Sequence, residues 1–258
     1  AVCAALSASG TAAEIALSLA LAALYLADRK RFCPAGECGA ALTPRMLRIA
    51  LPLASSAYAR SALNTFRQLL VPRGLRLSGL SSESALAGYG VINGMAMPVL
   101  LLPTCLPLSV AELLVPALTE MQVAKEHERV RWSVREMLGK TFLLSLGAAA
   151  AFFVFARTLG MLLYGSAEAA RFLRLLAPMV PFLYTDIVTD GCLKGLGQMM
   201  ASMAFNIAEA ALGLVLVWAL LPRWALTGYL VTLYICEVFN FTLSLLRLRQ
   251  IINGDSSH

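Results

Sequence analysis

The sequence predicts an all-α, polytopic membrane protein with about seven transmembrane helices. Hydrophobic residues make up 59% of its 258 residues and charged residues only 14%, against about 45–50% and about 25% in typical soluble domains. The apolar residues fall into windows that are long enough to cross a bilayer and are bounded by charged or turn residues. We therefore expect a multi-pass protein of the cytoplasmic membrane.

The predicted spans differ in regularity along the chain. The first is short, and the third contains Pro98, Pro103 and Pro107, with apolar sequence continuing to Leu118. Proline inside a span kinks the helix and frees carbonyl groups, which then need partners within the protein or a cavity. The predicted spans are Thr11–Ala27, Met46–Val71, Ala85–Pro107, Leu138–Tyr164, Leu173–Leu193, Met199–Leu221 and Trp224–Leu246.

The basic residues indicate the orientation of these spans. The net charge is +6, and most Lys and Arg lie in short runs between apolar windows, with no basic face interleaved with aromatics, so nucleic acid is not an expected partner. Lys and Arg favour the cytoplasmic side of a membrane. The connections after the first and third spans carry five Lys and Arg residues each and the one between them carries two, which predicts an external N-terminus.

The segment Gln122–Lys140 is expected to form an amphipathic helix at the inner surface, or a solvated loop helix.

This topology predicts that Cys33 and Cys38 lie in a cytoplasmic connection. A membrane-impermeant thiol reagent added to intact cells should therefore leave both unmodified. Rapid labelling of either cysteine from outside would show that the orientation is the reverse of the predicted one.

Polar residues in the second span predict an anion site. Ser56, Arg60, Asn64 and Arg67 follow at i, i+4, i+8 and i+11, which places them on one face of a helix. A guanidinium group binds phosphate bidentately, so this stripe suits a phosphate or diphosphate head group. The alternative, about equally supported, is that Arg67 extends outward to the interface and Arg60 pairs with a carboxylate in the bundle.

Acidic residues in the later spans are candidates for ion coupling or for ion pairs. Asp190 precedes Lys194 by four residues, a spacing that allows a local pair. Asp186 has no such neighbour, and we favour it as the partner of Arg60 over a role with a coupling proton or cation. Further polar stripes, explained equally by helix contacts or by transport, are formed by Glu209 with Asn206 and by Glu237 with Asn240 and Ser244.

Enzyme motifs are poor, so we expect no enzyme and no cofactor. Gly139-Lys140-Thr141 imitates the end of a phosphate-binding loop, but Val134 stands where that loop needs glycine. His127 is the only histidine before the C-terminal residue, and the six cysteines form no C-x-x-C pair, so neither a multi-His metal site nor a zinc site is indicated. One enzyme class is not excluded by these observations, a membrane transferase that uses carboxylate side chains.

Six stretches between about Leu47 and Leu248 form a recognisable pattern by their order and spacing. The stretches are Arg48-Ile-Ala-Leu-Pro-Leu-Ala-Ser-Ser-Ala-Tyr-Ala-Arg60-Ser, Val71-Pro-Arg-Gly-Leu, Ser81-Ser-Glu-Ser-Ala-Leu-Ala-Gly-Tyr-Gly90, Leu113-Leu-Val-Pro116, Leu162-Leu-Tyr-Gly-Ser-Ala-Glu168 and Asp190-Gly-Cys-Leu-Lys-Gly-Leu-Gly197. In this order they resemble the polysaccharide-exporter and stage V sporulation protein B branch of the multidrug/oligosaccharidyl-lipid/polysaccharide flippase superfamily. The chain departs from the pattern at Arg67 and in lacking an N-terminal half-bundle.

The resemblance implies one lobe of a two-lobed flippase that works by alternating access. Residues 1–44 would be the last span of the first lobe with its cytoplasmic connection, 45–250 a second lobe of about six helices, and 251–258 a polar tail. The implied partners are membrane lipids, the missing N-terminal lobe and a lipid-linked anionic glycan, whose diphosphate would meet Arg60. The alternative within the superfamily is a cation-coupled multidrug antiporter.

Overall fold

A computed structural model describes residues 12–26, 42–77 and 82–254. The described residues form long helices joined by tight turns, which confirms the predicted all-α fold. A π-helical segment, Ile92–Ala96, joins the third helix to the fourth, and 3-10 turns follow the fourth and seventh. The helices are α1 (Ala12–Leu26), α2 (Leu42–Leu77), α3 (Ser82–Val91), α4 (Met97–Leu101), α5 (Cys105–Val123), α6 (His127–Tyr164), α7 (Ala167–Leu176), α8 (Val180–Gly195) and α9 (Met199–Gly254).

The chain divides into two compact units, Ala1–Ala50 and Leu51–His258. Among the described residues, the first unit holds α1 and the beginning of α2, and the second holds everything else. The labelling sites Cys33 and Cys38 lie outside the described residues, and the site described below lies wholly within the second unit.

Four helical stretches of the described chain are long and apolar enough to cross a membrane. The stretch through α5 runs to Val123, well beyond the predicted end at Pro107, because its prolines bend the helix without ending it. The predicted helix Gln122–Lys140 is wrong as a single element, since turn residues 124–126 separate α5 from α6. The four stretches are Ser84–Val123, His127–Tyr164, Ala167–Gly195 and Met199–Gly254.

The last of these stretches, α9, folds back on itself. Its 56 residues would extend about 84 Å as one straight helix, far more than the roughly 30 Å hydrocarbon core. The helix is interrupted at Ala225, where φ is 48° and ψ is −128°. The Cys236 thiol lies 3.9 Å from the Glu209 carbonyl oxygen, and Gly228 is pressed against Leu220. These contacts make α9 an antiparallel hairpin, with a first arm before Ala225 and a second arm after it. The two arms correspond to the last two predicted spans.

The positive φ at Ala225 gives a stability prediction. An L-residue with this backbone conformation is strained, whereas glycine adopts it freely. We expect Ala225→Gly to raise the free energy of unfolding by about 1 kcal/mol, seen as a higher midpoint of thermal unfolding in detergent. The matched change Ala210→Gly, in a regular part of α9, should lower it by about 1 kcal/mol. A destabilising effect of Ala225→Gly would contradict this backbone geometry.

Helix α8 is the central helix of the second unit and packs against α5, α6 and α9. Close approach to α5 depends on two glycines: a Cβ on Gly191 would lie 2.7 Å from the Ala111 Cβ, and one on Gly195 would lie 3.0 Å from the Val115 carbonyl oxygen. The Thr119 hydroxyl donates a hydrogen bond of 2.9 Å to the Gly195 carbonyl oxygen. This packing fixes the acidic residues of α8 relative to α5.

Candidate functional site: a polar cavity between α2, α8 and α9

A cavity of about 480 Å³ lies between α2, α8 and α9. One wall is the polar face of α2, and the other is formed by the end of α8 and the beginning of α9. The two walls are in contact where the Ser56 hydroxyl of α2 lies 3.1 Å from the Met203 sulfur of α9. The lining residues are Ser56, Ala57, Arg60, Ser61, Asn64, Thr65, Gln68, Asp190, Lys194, Ser202, Met203, Asn206 and Ile207.

Three of the four α2 residues selected from sequence line this cavity, and Arg67 does not. Its guanidinium lies beside Gly213 of α9, where a Cβ would come within 2.9 Å of Arg67 Nη1. Because successive residues turn by about 100° around a helix, the cavity face is centred nearer Ser61 and Gln68 than Arg67. The absence of a side chain at Gly213 gives Arg67 its space.

The expected pairing of Arg60 with Asp186 does not form. Among the described residues, no carboxylate lies within 4.0 Å of the Arg60 guanidinium. Asp186 instead accepts a hydrogen bond of 2.9 Å from the Asn240 amide, on the second arm of α9. The acid whose charge interacts with both Arg60 and Arg67 is Glu209. Asp186 therefore belongs to an α8–α9 contact, and Arg60 is left facing the cavity.

Asp190 and Lys194 form the local pair that their spacing indicated. The Lys194 Nζ lies 2.6 Å from Asp190 Oδ2, and Asp190 Oδ1 accepts a hydrogen bond from the Ser202 hydroxyl. Both oxygens of this carboxylate are thus occupied at the cavity wall. The pair brings no net charge to the cavity, so Arg60 gives it a net positive charge.

A second cavity of about 410 Å³ adjoins the first and shares Arg60, Asp190, Lys194 and Asn206 with it. Its lining is strongly acidic. Two buried oxygens there, Asp186 Oδ1 and Asn240 Oδ1, have no hydrogen-bond partner in the described part of the chain. In the same part, no group of three or more His, Cys, Asp or Glu is placed to hold a metal ion. The acids lining this cavity are Glu112, Asp186, Asp190, Glu209 and Glu237.

Sequence reasoning missed several residues of these cavities. Ser61 and Gln68 lie on the polar face of α2, and continuing the helical wheel beyond the arginine stripe would have found them. Ser202 could not have been found this way, because its role depends on the turn between α8 and α9. Glu112 lies in a span broken by prolines, where the register of faces is uncertain from sequence.

Comparison with known proteins identifies the family. The family model described as MatE matches residues 74–219, more than half of the chain. The chain belongs to the MatE family. It is similar to stage V sporulation protein B of Bacillus subtilis (strain 168), with 28% identity over 203 residues, 78% of this chain and 39% of the relative. It is also similar to sporulation protein YkvU of the same organism, with 23% identity over 68% of this chain and 40% of the relative.

A solved structure shows the same fold. It is described as the outward-facing conformation of a multidrug resistance MATE family transporter of the MOP superfamily, and it aligns with a TM-score of 0.60 and 15% identity. The alignment covers 87% of this chain and 49% of that one. This MatE chain is therefore a multi-pass membrane protein with this fold, and it spans less than half the length of the curated relatives it matches.

Proposed function

We propose that this MatE chain is the second lobe of a flippase that moves a lipid-linked oligosaccharide, or another lipid-linked precursor of cell-wall polysaccharide, across the cytoplasmic membrane. The observation that carries this proposal is Arg60, an arginine without an ion-pair partner among the described residues, facing a polar cavity of about 480 Å³. The resemblance to stage V sporulation protein B supports it.

The lining of the cavity suits a phosphorylated head group. Arg60 can donate two parallel hydrogen bonds to phosphate oxygens. Asn64 and Gln68 each carry an amide that can donate or accept, and Ser61 and Thr65 carry hydroxyls. Such groups bind both the phosphates and the hydroxyls of a sugar. Arg67 packs against Gly213 and interacts with the charge of Glu209. Its own positive charge therefore acts on the head group only at longer range.

The acidic cavity beside it would bind the coupling ion. Asp186 and Glu237 are half-buried, and one oxygen of Asp186 is buried with no hydrogen-bond partner in the described residues. Carboxylates within the spans of a membrane protein commonly mark proton or cation pathways. Arg60 and Glu209 also line this cavity. A change of charge in it would therefore change the electrostatic potential in the substrate cavity. Asp190, held by Lys194 and Ser202, would keep the shared wall in place.

The remaining partner would be an N-terminal lobe. This chain matches 39% and 40% of the two sporulation relatives and 49% of the solved transporter, which are the shares expected of one lobe of two. The substrate cavity would then be completed between the lobes, which rock to expose it alternately. The protein to test is therefore the longest native reading frame that contains this chain, called the full-length protein from this point on.

The alternative function is a cation-coupled multidrug antiporter. The observation that favours it is the second cavity, with five acidic side chains that suit an organic cation. The two functions require substrates of opposite charge, an anionic lipid-linked sugar and an organic cation. A transport assay with each substrate therefore separates them.

The test is transport by the full-length protein in proteoliposomes. One assay follows a fluorescent polyprenyl-diphosphate-linked sugar from one leaflet to the other, and the other follows uptake of an organic cation such as tetraphenylphosphonium. We expect transport of the diphosphate substrate and none of the cation. Cation uptake without movement of the lipid-linked sugar would replace the flippase assignment with the antiporter.

The acidic cavity gives a prediction of its own. In the full-length protein, Asp186→Asn and Glu237→Gln should each abolish the stimulation of transport by an ion gradient, because the neutral side chains cannot exchange a proton or cation. Binding of the lipid-linked substrate should stay within about threefold of wild type, since Arg60 is untouched. Glu128→Gln, an exposed acid of α6 outside these cavities, is the matched control and should leave both unchanged. Gradient-driven transport that survives both substitutions would exclude this cavity from coupling.

A further inference from the structure

Three arginines line one cavity at the turn between α6 and α7. The cavity measures about 460 Å³ and is separate from the two already described. No acidic side chain lines it. The lining residues are Arg157, Met161, Ala167, Ala170, Arg171, Arg174 and Leu175.

The fold brings these arginines together from two helices. Helix α6 ends at Gly165, in the left-handed region with φ of 61°, and the Ser166 hydroxyl caps α7 by accepting from the Ala169 N–H at 3.2 Å. The two helices then touch without an intervening side chain, since a Cβ on Gly160 would lie 2.6 Å from the Ala170 Cβ. Arg157 lies about one turn before Gly160, and Arg171 directly follows Ala170. The close helix contact therefore brings arginines of both helices to the same cavity.

The positive charge of this cluster is not neutralised within the described chain. None of the three arginines has a carboxylate within 4.0 Å there, although Glu168 lies in the first turn of α7. Arg174 is held in place by the α6 backbone and an aromatic ring: its Nε donates to the Phe153 carbonyl oxygen at 3.3 Å, and its guanidinium carbon lies 5.4 Å from the centroid of the Phe153 ring. The other four N–H groups of this guanidinium stay available.

Exposed apolar side chains surround the cluster on both sides along α6. Val154 and Phe155 precede it, with 65% and 57% of their surface exposed, and Leu162 follows it with 77% exposed. In a membrane protein such a surface faces lipid. Charged groups within it are costly unless an anion compensates them. The cluster also lies at the end of α6 opposite its basic beginning near Arg129 and Arg135, so it is not explained by the bias of basic residues toward one side of the membrane.

We propose that the cluster of Arg157, Arg171 and Arg174 is a binding site for the phosphate of an anionic phospholipid, with the acyl chains lying along the exposed apolar side chains of α6. The three guanidinium groups supply charge and bidentate donors for the phosphodiester. Apolar Met161 and Leu175 at the cavity wall suit a lipid better than a soluble phosphate. Phosphatidylcholine is disfavoured, because its choline cation would be repelled. The site is independent of the substrate assignment made above.

The experiment compares two triple variants of the full-length protein by native mass spectrometry of bound phosphatidylglycerol. Arg157→Gln/Arg171→Gln/Arg174→Gln removes the cluster. Arg73→Gln/Arg76→Gln/Arg223→Gln removes the same charge from exposed arginines that line none of the cavities described above. Their neighbours Leu75 and Leu221 belong to the same buried core cluster as Phe172 of α7. We expect phosphatidylglycerol to bind the cluster variant about 100-fold more weakly than wild type, and the control variant within about threefold. Phosphatidylcholine should bind all three proteins equally.

Equal weakening in both triple variants would overturn the proposal. So would binding of inorganic phosphate that disappears in the cluster variant while phosphatidylglycerol binding persists, because the site would then serve a soluble phosphate. If the cluster variant is not recovered as folded protein, wild type with photoreactive phosphatidylglycerol decides the question. Cross-links on the α6 and α7 peptides around residues 153–175 are expected, and cross-links confined to other helices would contradict the site.

Discussion

Arg60→Ala in the full-length protein should reduce transport of the lipid-linked diphosphate by at least about 100-fold while leaving the amount of folded protein near that of wild type. Two charge-assisted hydrogen bonds to phosphate contribute about 1.5–3 kcal/mol each, and a loss of about 2.7 kcal/mol corresponds to 100-fold. Folding should tolerate the change, because Arg60 is exposed to the cavity and has no ion-pair partner among the described residues. The measurement is flipping in proteoliposomes, normalised to reconstituted protein.

Two further substitutions separate substrate binding from structural support. Arg60→Lys should recover part of the transport, because an ammonium supplies the charge but not the planar fork. Arg73→Ala, an exposed arginine at the far end of the same helix, is the matched control and should transport normally. If Arg60 instead serves mainly to offset Glu209, Arg60→Ala should lower the yield of folded protein, and the double change with Glu209→Ala should restore yield and transport together. That rescue would remove Arg60 from the substrate site.

Gly191→Leu should prevent most of the protein from folding. A Cβ at this position would already lie 2.7 Å from the Ala111 Cβ and 2.9 Å from its Cα, so a leucine must force α5 and α8 apart. Overpacking of this kind costs about 3 kcal/mol, and the helix displaced is the one that carries Asp190 and Lys194. We expect little monodisperse protein after extraction in detergent, and no transport.

Gly147→Leu is the matched control, since Gly147 lies within α6 and nothing would come within 4 Å of its Cβ. It should fold with wild-type yield. A normal yield for Gly191→Leu, measured by fluorescence-detected gel filtration and thermal unfolding, would show that α5 and α8 do not pack this closely.

Local sequence signals predicted long helices and one face of the cavity. The second predicted span, in α2, is not among the four stretches of the described chain that are long and apolar enough to cross a membrane. Apolar windows located the helices, and the separate windows ending at Leu221 and beginning at Trp224 correspond to the two arms of α9, because Pro222 and Arg223 mark the place where the chain turns back. The spacing of Ser56, Arg60 and Asn64 placed them together because helical periodicity is a property of one segment. The pairing of Asp190 with Lys194 was predictable for the same reason.

Contacts between helices were not predictable in this way. Asp186 was expected to meet Arg60 because both are charged, but the side chain that reaches Asp186 is Asn240, 54 residues later in the chain. Arg67 left the predicted stripe because Gly213, on another helix, offers it space. Each of these outcomes depends on which helices are neighbours and on their relative rotation, neither of which appears in a single helical pattern.

The structure of the full-length protein with a bound polyprenyl-diphosphate-linked sugar would test the central claim most directly, for example by electron cryomicroscopy. We predict that a phosphate oxygen lies within about 3.2 Å of an Arg60 guanidinium nitrogen, in the cavity formed by α2, α8 and α9. A diphosphate bound away from this cavity, with Arg60 turned to Glu209, would contradict the assignment of Arg60 to the substrate site.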